Sequence, residues 1–175
     1  MTETEFSRPV KLDTLGAEPR AVTICAEESE RQALAKRFGL LALDMLEAEL
    51  LLLRQDETVS LTGRLRARAT QACVATEAPV PAAIDEPLAL RFRPAPGASA
   101  PGEEVELDEG ELDELFHDGA AIDTGEAAAQ SLMLALDPYP RAPEAETALK
   151  DAGVKSEEEA GPFGALAGLR DKLTK

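Results

Sequence analysis

The sequence contains no tryptophan and few aromatic residues of any kind. Aromatic side chains make up 3% of the 175 residues, whereas apolar residues as a whole make up 44%. A hydrophobic core is therefore possible, but leucine, valine and alanine must fill most of it. At this length the chain can form one compact domain with additional segments, since domains commonly contain about 100 to 150 residues.

Long apolar segments and a targeting sequence are also lacking. Leu50–Leu53 is typical of the apolar runs, which are far shorter than the roughly 20 residues of a membrane-spanning helix. The N-terminus, Met1-Thr-Glu-Thr-Glu, is acidic and is not followed by the apolar stretch of a secretory signal peptide. These features predict a cytoplasmic protein that has no membrane partner.

Cysteine and histidine are scarce, with only Cys25, Cys73 and His117. A structural zinc site needs about four thiolate or imidazole ligands, so we predict no zinc and no other cofactor. His117 precedes Asp118, which could orient an imidazole base, but no nucleophile elbow or phosphate-binding glycine loop accompanies this pair. We therefore predict a solvated loop histidine and no enzymatic activity on a small-molecule substrate.

Lysine and arginine are absent from residues 94–140, which contain 12 of the acidic residues of a chain with net charge −16. The negative electrostatic field of such a chain disfavours non-specific binding to nucleic acid, because the phosphates are negative as well. Acidic runs are usually solvated, but this one could instead bind a basic protein. Leu115 and Phe116 could anchor its end as a strand or short helix. The candidate protein-binding residues are Glu103, Glu104, Glu106, Asp108, Glu109, Glu111, Asp113 and Glu114.

The most informative stretch is residues 43–93, where apolar and polar residues alternate over three consecutive segments, as in β-strands. Turn-like residues separate the segments. Prolines near the start of the third segment indicate an irregular start or an edge position. We therefore predict a three-stranded antiparallel meander.

A turn at residues 56–57 would fold the first segment back on the second. The leucines of both segments share one face if Glu49 lies opposite Arg64 and Glu47 lies opposite Arg66. A slip of one residue would move one set of leucines to the other face, so the apolar pattern constrains the register.

Shorter elements precede the meander. Residues 6–12 and 20–26 alternate as two short strands. A helix is predicted over residues 30–38, with Ser29 as its N-cap and Gly39 at its C-terminal end.

A second helix is predicted from about residue 125 to residue 136. Asp123 or Thr124 would cap its N-terminus, with Glu126 as the capping-box partner of Asp123. The Asp137-Pro sequence would end it.

These patterns predict that the chain is divided into three parts. Residues 1–140 would form a single domain, and the polar, Ala/Glu-rich residues 141–161 would form a flexible linker. Residues 162–175 would form an amphipathic helix, because apolar side chains recur there at helical spacing. The overall prediction is an α+β fold, with a twisted antiparallel sheet of about five strands that could curl toward a barrel, and two or three flanking helices.

Five arginines form the pattern with the clearest binding chemistry. Three of them alternate along the second strand of the meander, and two on the third strand could lie beside them. Guanidinium groups suit phosphate recognition. Pairing with Glu47 and Glu49 is the structural alternative, and exposed pairs of that kind contribute only about 0.2–1 kcal/mol each. The candidate residues are Arg64, Arg66, Arg68, Arg91 and Arg93.

Several segments resemble the YceD family. Residues 59–80, which include Cys73, look like the family's central strand and cysteine motif, and residues 122–140 and 162–169 are similar to later family blocks. Many members carry a Cys-x-x-Cys pair here and further cysteines, which implies a metal clip. This chain has Thr76 at the partner position.

The resemblance implies a non-catalytic ribosome-biogenesis factor that supports accumulation or maturation of large-subunit (23S) ribosomal RNA. The expected partner is then ribosomal RNA or a pre-ribosomal particle, and the five arginines become candidate RNA-binding residues. The alternative is an acidic adaptor or chaperone that binds basic ribosomal proteins through residues 103–114 and does not contact RNA.

Overall fold

The computed structural model describes residues 4–95 and 114–154. These residues form two compact units, one within Met1–Gln71 and Pro81–Asp137, the other within Ala72–Val80 and Pro138–Lys175. The elements in chain order are β1 Pro9–Lys11, a 3₁₀ turn Leu12–Thr14, β2 Arg20–Cys25, α1 Glu28–Phe38, β3 Ala42–Gln55, β4 Thr58–Ala72, β5 Pro79–Pro94, β6 Glu114–His117, β7 Ala121–Asp123, α2 Thr124–Ala135 and α3 Ala145–Asp151.

The main sheet contains five strands in the order β2-β3-β4-β5-β6. Its pairing is mostly antiparallel, and β6 lies parallel to β5 at one edge. β1 and β7 pair separately as a two-stranded antiparallel sheet. The fold is therefore α+β, as predicted. Within the described ranges the main sheet does not close into a barrel, since β2 and β6 remain its edges.

The predicted hairpin of β3 and β4 is confirmed with its register. Glu49 lies opposite Arg64, and Glu47 lies opposite Arg66. Asp56 has a φ of 55°, so it supplies the left-handed conformation that a tight turn without glycine still requires. A β-bulge between Leu43 and Met45 changes the alternation, which allows both Leu43 and Leu46 to be buried.

One face of the main sheet belongs to the hydrophobic core. The core residues are largely aliphatic, as the composition predicts, and α1 and α2 contribute Leu34 and Leu132 to the same cluster. Phe6 and Phe92 are the buried phenylalanines of the described residues. Side chains at alternate strand positions point away from this core, and we call that surface the outer face.

Helix α1 begins two residues earlier than the sequence predicts. Ser29 lies inside the first turn and is not the N-cap. Glu27 occupies that position, and its N–H donates to the Glu30 carboxylate at 2.7 Å. Three successive acidic or hydroxyl residues could each cap this helix, and the reciprocal contact with Glu30 selects Glu27. Gly39 ends the helix in the left-handed conformation, as predicted.

The N-cap of α2 is Asp123, whose carboxylate accepts from the N–H groups of Gly125 and Glu126 at 3.0 and 3.2 Å. The predicted role of Glu126 as its capping-box partner is replaced by a bidentate ion pair between Glu126 and Arg37. The guanidinium competes with the cap N–H for this carboxylate and binds it more strongly.

His117 is not a solvated loop residue, which corrects the sequence prediction. It lies in β6 and is 8% exposed. The Nδ1 atom accepts from the N–H of Gly119 at 3.1 Å, so Nε2 carries the proton and donates to the carbonyl of Glu57 at 2.8 Å. His117 therefore connects the β3–β4 turn to the turn after β6.

The second unit contains α3, which lies within the segment 141–161 for which the sequence predicts a linker. The terminal segment 162–175 lies outside the described residues, so the division into a domain, a linker and a terminal helix stays a prediction. No helix within residues 4–95 and 114–154 is long and apolar enough to cross a membrane.

Candidate functional site

The five candidate arginines lie on strands β4 and β5 of the first unit, and the structure divides them into two clusters. Asp85 of β5 contacts the β4 arginines, whereas Arg91 and Arg93 contact β6. Arg91 is six residues from Asp85, or roughly 20 Å along a strand that rises about 3.3 Å per residue. A continuous arginine strip is therefore not formed.

The central cluster consists of Arg64 and Arg66 with Glu47, Glu49 and Asp85. Arg64 donates through Nε to Asp85, and Arg66 lies 3.2 Å from Glu49, 3.6 Å from Glu47 and 3.7 Å from Asp85. The Arg64 guanidinium holds the pKa of the Asp85 carboxyl below its usual range. Three carboxylates thus surround two guanidinium groups, and a phosphate would have to compete with them.

The edge cluster consists of Arg91, Arg93 and Glu114. Because β5 and β6 are parallel and in register, Arg91 lies beside Glu114 and Arg93 lies beside Phe116. Glu114 contacts Arg91 at 3.6 Å and Arg93 at 2.9 Å. The Glu114 side chain is 10% exposed, whereas those of Arg91 and Arg93 are 57% and 47% exposed.

Arg68 lies opposite Met45 at the far end of β4 and is exposed. No carboxylate in the described part of the chain lies within ion-pair distance of it. Of the candidate arginines, Arg68 is therefore the one whose guanidinium has the fewest competing contacts.

The acidic candidate residues Glu103, Glu104, Glu106, Asp108, Glu109, Glu111 and Asp113 lie outside the described residues. Glu114 is their one described member, and the two arginines of the edge cluster hold it against the sheet. Residues 114–117 form a strand, as the sequence allows, and this strand brings the end of the acidic segment to the sheet edge.

Cys73 is buried in the second unit, where it packs with Ala142 and Ala145. Its Sγ accepts from the Ala142 N–H at 3.3 Å, and this bond, with help from the Thr76 side chain, lowers the pKa of the thiol to about 7 against the opposing effect of burial. Thr76 stands where the family pattern places a second thiol, and a hydroxyl does not replace a thiolate as a zinc ligand. Among the described residues, no group of three or more His, Cys, Asp or Glu is placed to hold a metal ion.

A family model described as large ribosomal RNA subunit accumulation protein YceD matches residues 61–170. The chain belongs to this family. The match begins in β4 and includes the central arginines, the Cys73 turn, β5, β6 and α2. The description of the YceD family names a role in the accumulation of large-subunit ribosomal RNA. No curated protein and no solved structure matches the chain.

Sequence reasoning did not identify Asp85 as part of the site. Asp85 is an even number of residues from Arg91 and Arg93 along β5, which indicates that it lies on the same face as they do. Its partner, however, depends on the register between β4 and β5. Phe116 was identified only as a possible anchor for the core, whereas it is 60% exposed.

Proposed function

We propose that this protein is a non-catalytic, cytoplasmic ribosome-biogenesis factor that supports the accumulation or maturation of large-subunit (23S) ribosomal RNA. Membership of the YceD family carries this proposal, because the family is described by that role. The expected partner is ribosomal RNA or a pre-ribosomal particle.

The outer face of the sheet supports direct contact with RNA. It presents arginines in two clusters and Arg68 at the end of β4, and guanidinium groups recognise phosphates through paired hydrogen bonds. The contacts of His117 support the absence of catalysis, since both of its ring nitrogens hold backbone groups.

A second candidate function is the acidic adaptor that binds basic ribosomal proteins without contacting RNA. The carboxylates of the central cluster favour this alternative, because three of them lie around two arginines. Carboxylates on such a surface are complementary to the cationic side chains of a basic protein.

Depletion of the protein from its cell should lower the ratio of large-subunit to small-subunit ribosomal RNA, and the wild-type chain should restore that ratio. The charge-reversal variant Arg64→Glu/Arg66→Glu/Arg68→Glu should restore it poorly, because reversal removes phosphate contacts. The matched control reverses three exposed basic residues that are not part of the main sheet, Lys36, Arg141 and Lys150. Circular dichroism must show that each variant is folded.

The outcomes separate the two candidates. An unchanged ratio after depletion contradicts the biogenesis function. If the arginine variant restores the ratio fully and a variant with neutralised acids at residues 103–118 does not, the adaptor function replaces direct RNA binding. Sedimentation of the tagged protein with pre-ribosomal particles should accompany either function.

A further inference from the structure

Phe116 differs from the other phenylalanines of the described ranges in its exposure. It is 60% exposed, whereas Phe6 and Phe92 are 0% and 5% exposed and Phe38 is partly buried. Isolated apolar residues are common on protein surfaces, so exposure alone assigns no role. The position of Phe116 in the sheet is the informative observation.

Phe116 lies on the edge strand of the sheet, beside the edge cluster. In the parallel pairing of β5 with β6, Phe116 lies beside Arg93 and Glu114 lies beside Arg91. Neighbouring residues in register point to the same side of a sheet, and adjacent strands are about 4.8 Å apart. An aromatic ring and two guanidinium groups are therefore neighbours on one exposed surface.

The arginines of the edge cluster are more exposed than its carboxylate. Glu114 is 10% exposed, whereas Arg91 and Arg93 are 57% and 47% exposed. The nearly buried carboxylate orients the two arginines. The two guanidinium groups and one carboxylate of this cluster give it a net positive charge, which is complementary to a phosphate backbone.

We propose that Phe116 stacks on a base of unpaired RNA while Arg91 and Arg93 contact the adjoining phosphates. An exposed aromatic ring with neighbouring cations is the arrangement that proteins use for single-stranded nucleic acid, because every base has a face that can stack. The inference rests on the proposed function and names its RNA partner as a single-stranded segment.

A protein partner fits this surface less well. Glu114 lies two positions before Phe116 in β6, and the surface that Phe116 lines with Phe92 and Leu115 also includes Asp123, Glu126 and Gln130, so the ring is not part of a purely apolar patch. Protein interfaces concentrate their apolar contacts in a central patch that excludes water. A single ring among charges is better suited to stacking.

The test uses the absence of tryptophan from the sequence. Phe116→Trp introduces one indole at the proposed site, and an unstructured RNA oligonucleotide should quench its fluorescence in a saturable manner. Leu41→Trp is the matched control, since Leu41 is 55% exposed and directly precedes β3, which β4 and β5 separate from β6 in the sheet. Its fluorescence should stay unchanged. Equal quenching of both variants, no quenching of Phe116→Trp, or a response of Phe116→Trp to basic ribosomal proteins alone would overturn the inference.

The affinity for the same oligonucleotide gives a second readout. Phe116→Ala should weaken binding by roughly 5- to 150-fold and leave its salt dependence unchanged, because stacking on one base is lost and no phosphate contact is lost. Arg91→Gln/Arg93→Gln should instead reduce the salt dependence. If Phe116→Ala binds RNA normally and restores the ribosomal RNA ratio after depletion, the stacking inference is wrong and the proposed function stands. If depletion leaves that ratio unchanged, the proposed function itself fails.

Discussion

At the scale of single residues, Asp85 decides how available the central arginines are to a phosphate. It contacts both Arg64 and Arg66, and Asp85 and Arg64 are each about half exposed. Exposed pairs contribute little to stability, about 0.2–1 kcal/mol. The more important consequence is competition, because a phosphate that bound these arginines would have to displace a carboxylate that is already in place.

Asp85→Asn should therefore raise the affinity for RNA by about two- to fivefold and make binding more salt-dependent, because a competing charge is removed. The free energy of unfolding should fall by no more than about 1 kcal/mol. Glu86→Gln, at the next position, which is also exposed, should have a smaller effect on affinity. Filter binding over a range of salt concentrations gives both quantities. Weaker binding by Asp85→Asn would show that this carboxylate orients the arginines rather than competing for them.

Single residues are also where sequence reasoning about this chain was wrong. Ser29, Glu126 and His117 each have a plausible local role that a contact from elsewhere replaces. Glu27 caps α1, Arg37 binds Glu126 from a different helix, and the burial of His117 depends on the β3–β4 turn, 60 residues earlier. Local patterns contain no information about these partners.

At the scale of elements, the β3–β4 hairpin depends on a close approach at Gly63. A Cβ atom at this position would lie 2.0 Å from the carbonyl oxygen of Glu49. Real Cβ atoms do not approach backbone oxygens so closely, so any other residue forces the two strands apart. Gly63 is also adjacent to Arg64, whose pairing with Asp85 depends on the same register.

Gly63→Ala should destabilise the protein by about 1–3 kcal/mol, the usual cost of overpacking, and it should weaken the β3–β4 pairing first. Gly16→Ala is the control, because a Cβ atom at Gly16 would meet nothing within 4 Å. It should be neutral or slightly stabilising. Urea denaturation measures the free energies, and amide hydrogen exchange locates the loss. Equal stability of the two variants would contradict the close approach.

The sequence predicts elements well where an apolar pattern is long, and poorly where pairing is short and distant. β3 and β4 span 14 and 15 residues, and burial of their leucines determines strand and register together. β1 and β7 contain three residues each and pair over more than 100 intervening residues. The parallel position of β6 likewise follows from packing rather than from its four residues.

At the scale of the whole molecule, the net charge of −16 makes ion pairs between carboxylates and basic side chains important for stability. Mutual repulsion of so many acids opposes the compact state. In the first unit, Arg37 offsets part of this repulsion. It donates two hydrogen bonds to Glu126, at 2.7 and 2.8 Å, and one to Glu5 at 3.0 Å, and so connects α1 with α2 and the N-terminal segment.

This arrangement makes part of the stability depend on pH. The hydrogen bonds from Arg37 lower the pKa of the Glu126 carboxyl in the folded protein. A carboxyl whose pKa is lowered on folding stabilises the folded state fully above its unfolded pKa, which is about 4.3 for glutamate. That contribution is lost as the pH falls through the lower, folded pKa.

Glu126→Gln should therefore reduce the free energy of unfolding at pH 7 by about 1–2 kcal/mol, since a partly exposed, bidentate charged pair is replaced by a neutral contact. The difference from the wild type should persist down to about pH 5, decrease below about pH 4.3 and approach zero at lower pH. Glu18→Gln, at an exposed loop position, should differ little from the wild type at any pH.

Urea denaturation at a series of pH values measures the free energy of unfolding of all three proteins. A Glu126→Gln difference that stays constant down to pH 3 would mean that Arg37 does not stabilise the ionised carboxylate, and the link between the two helices would then be packing alone.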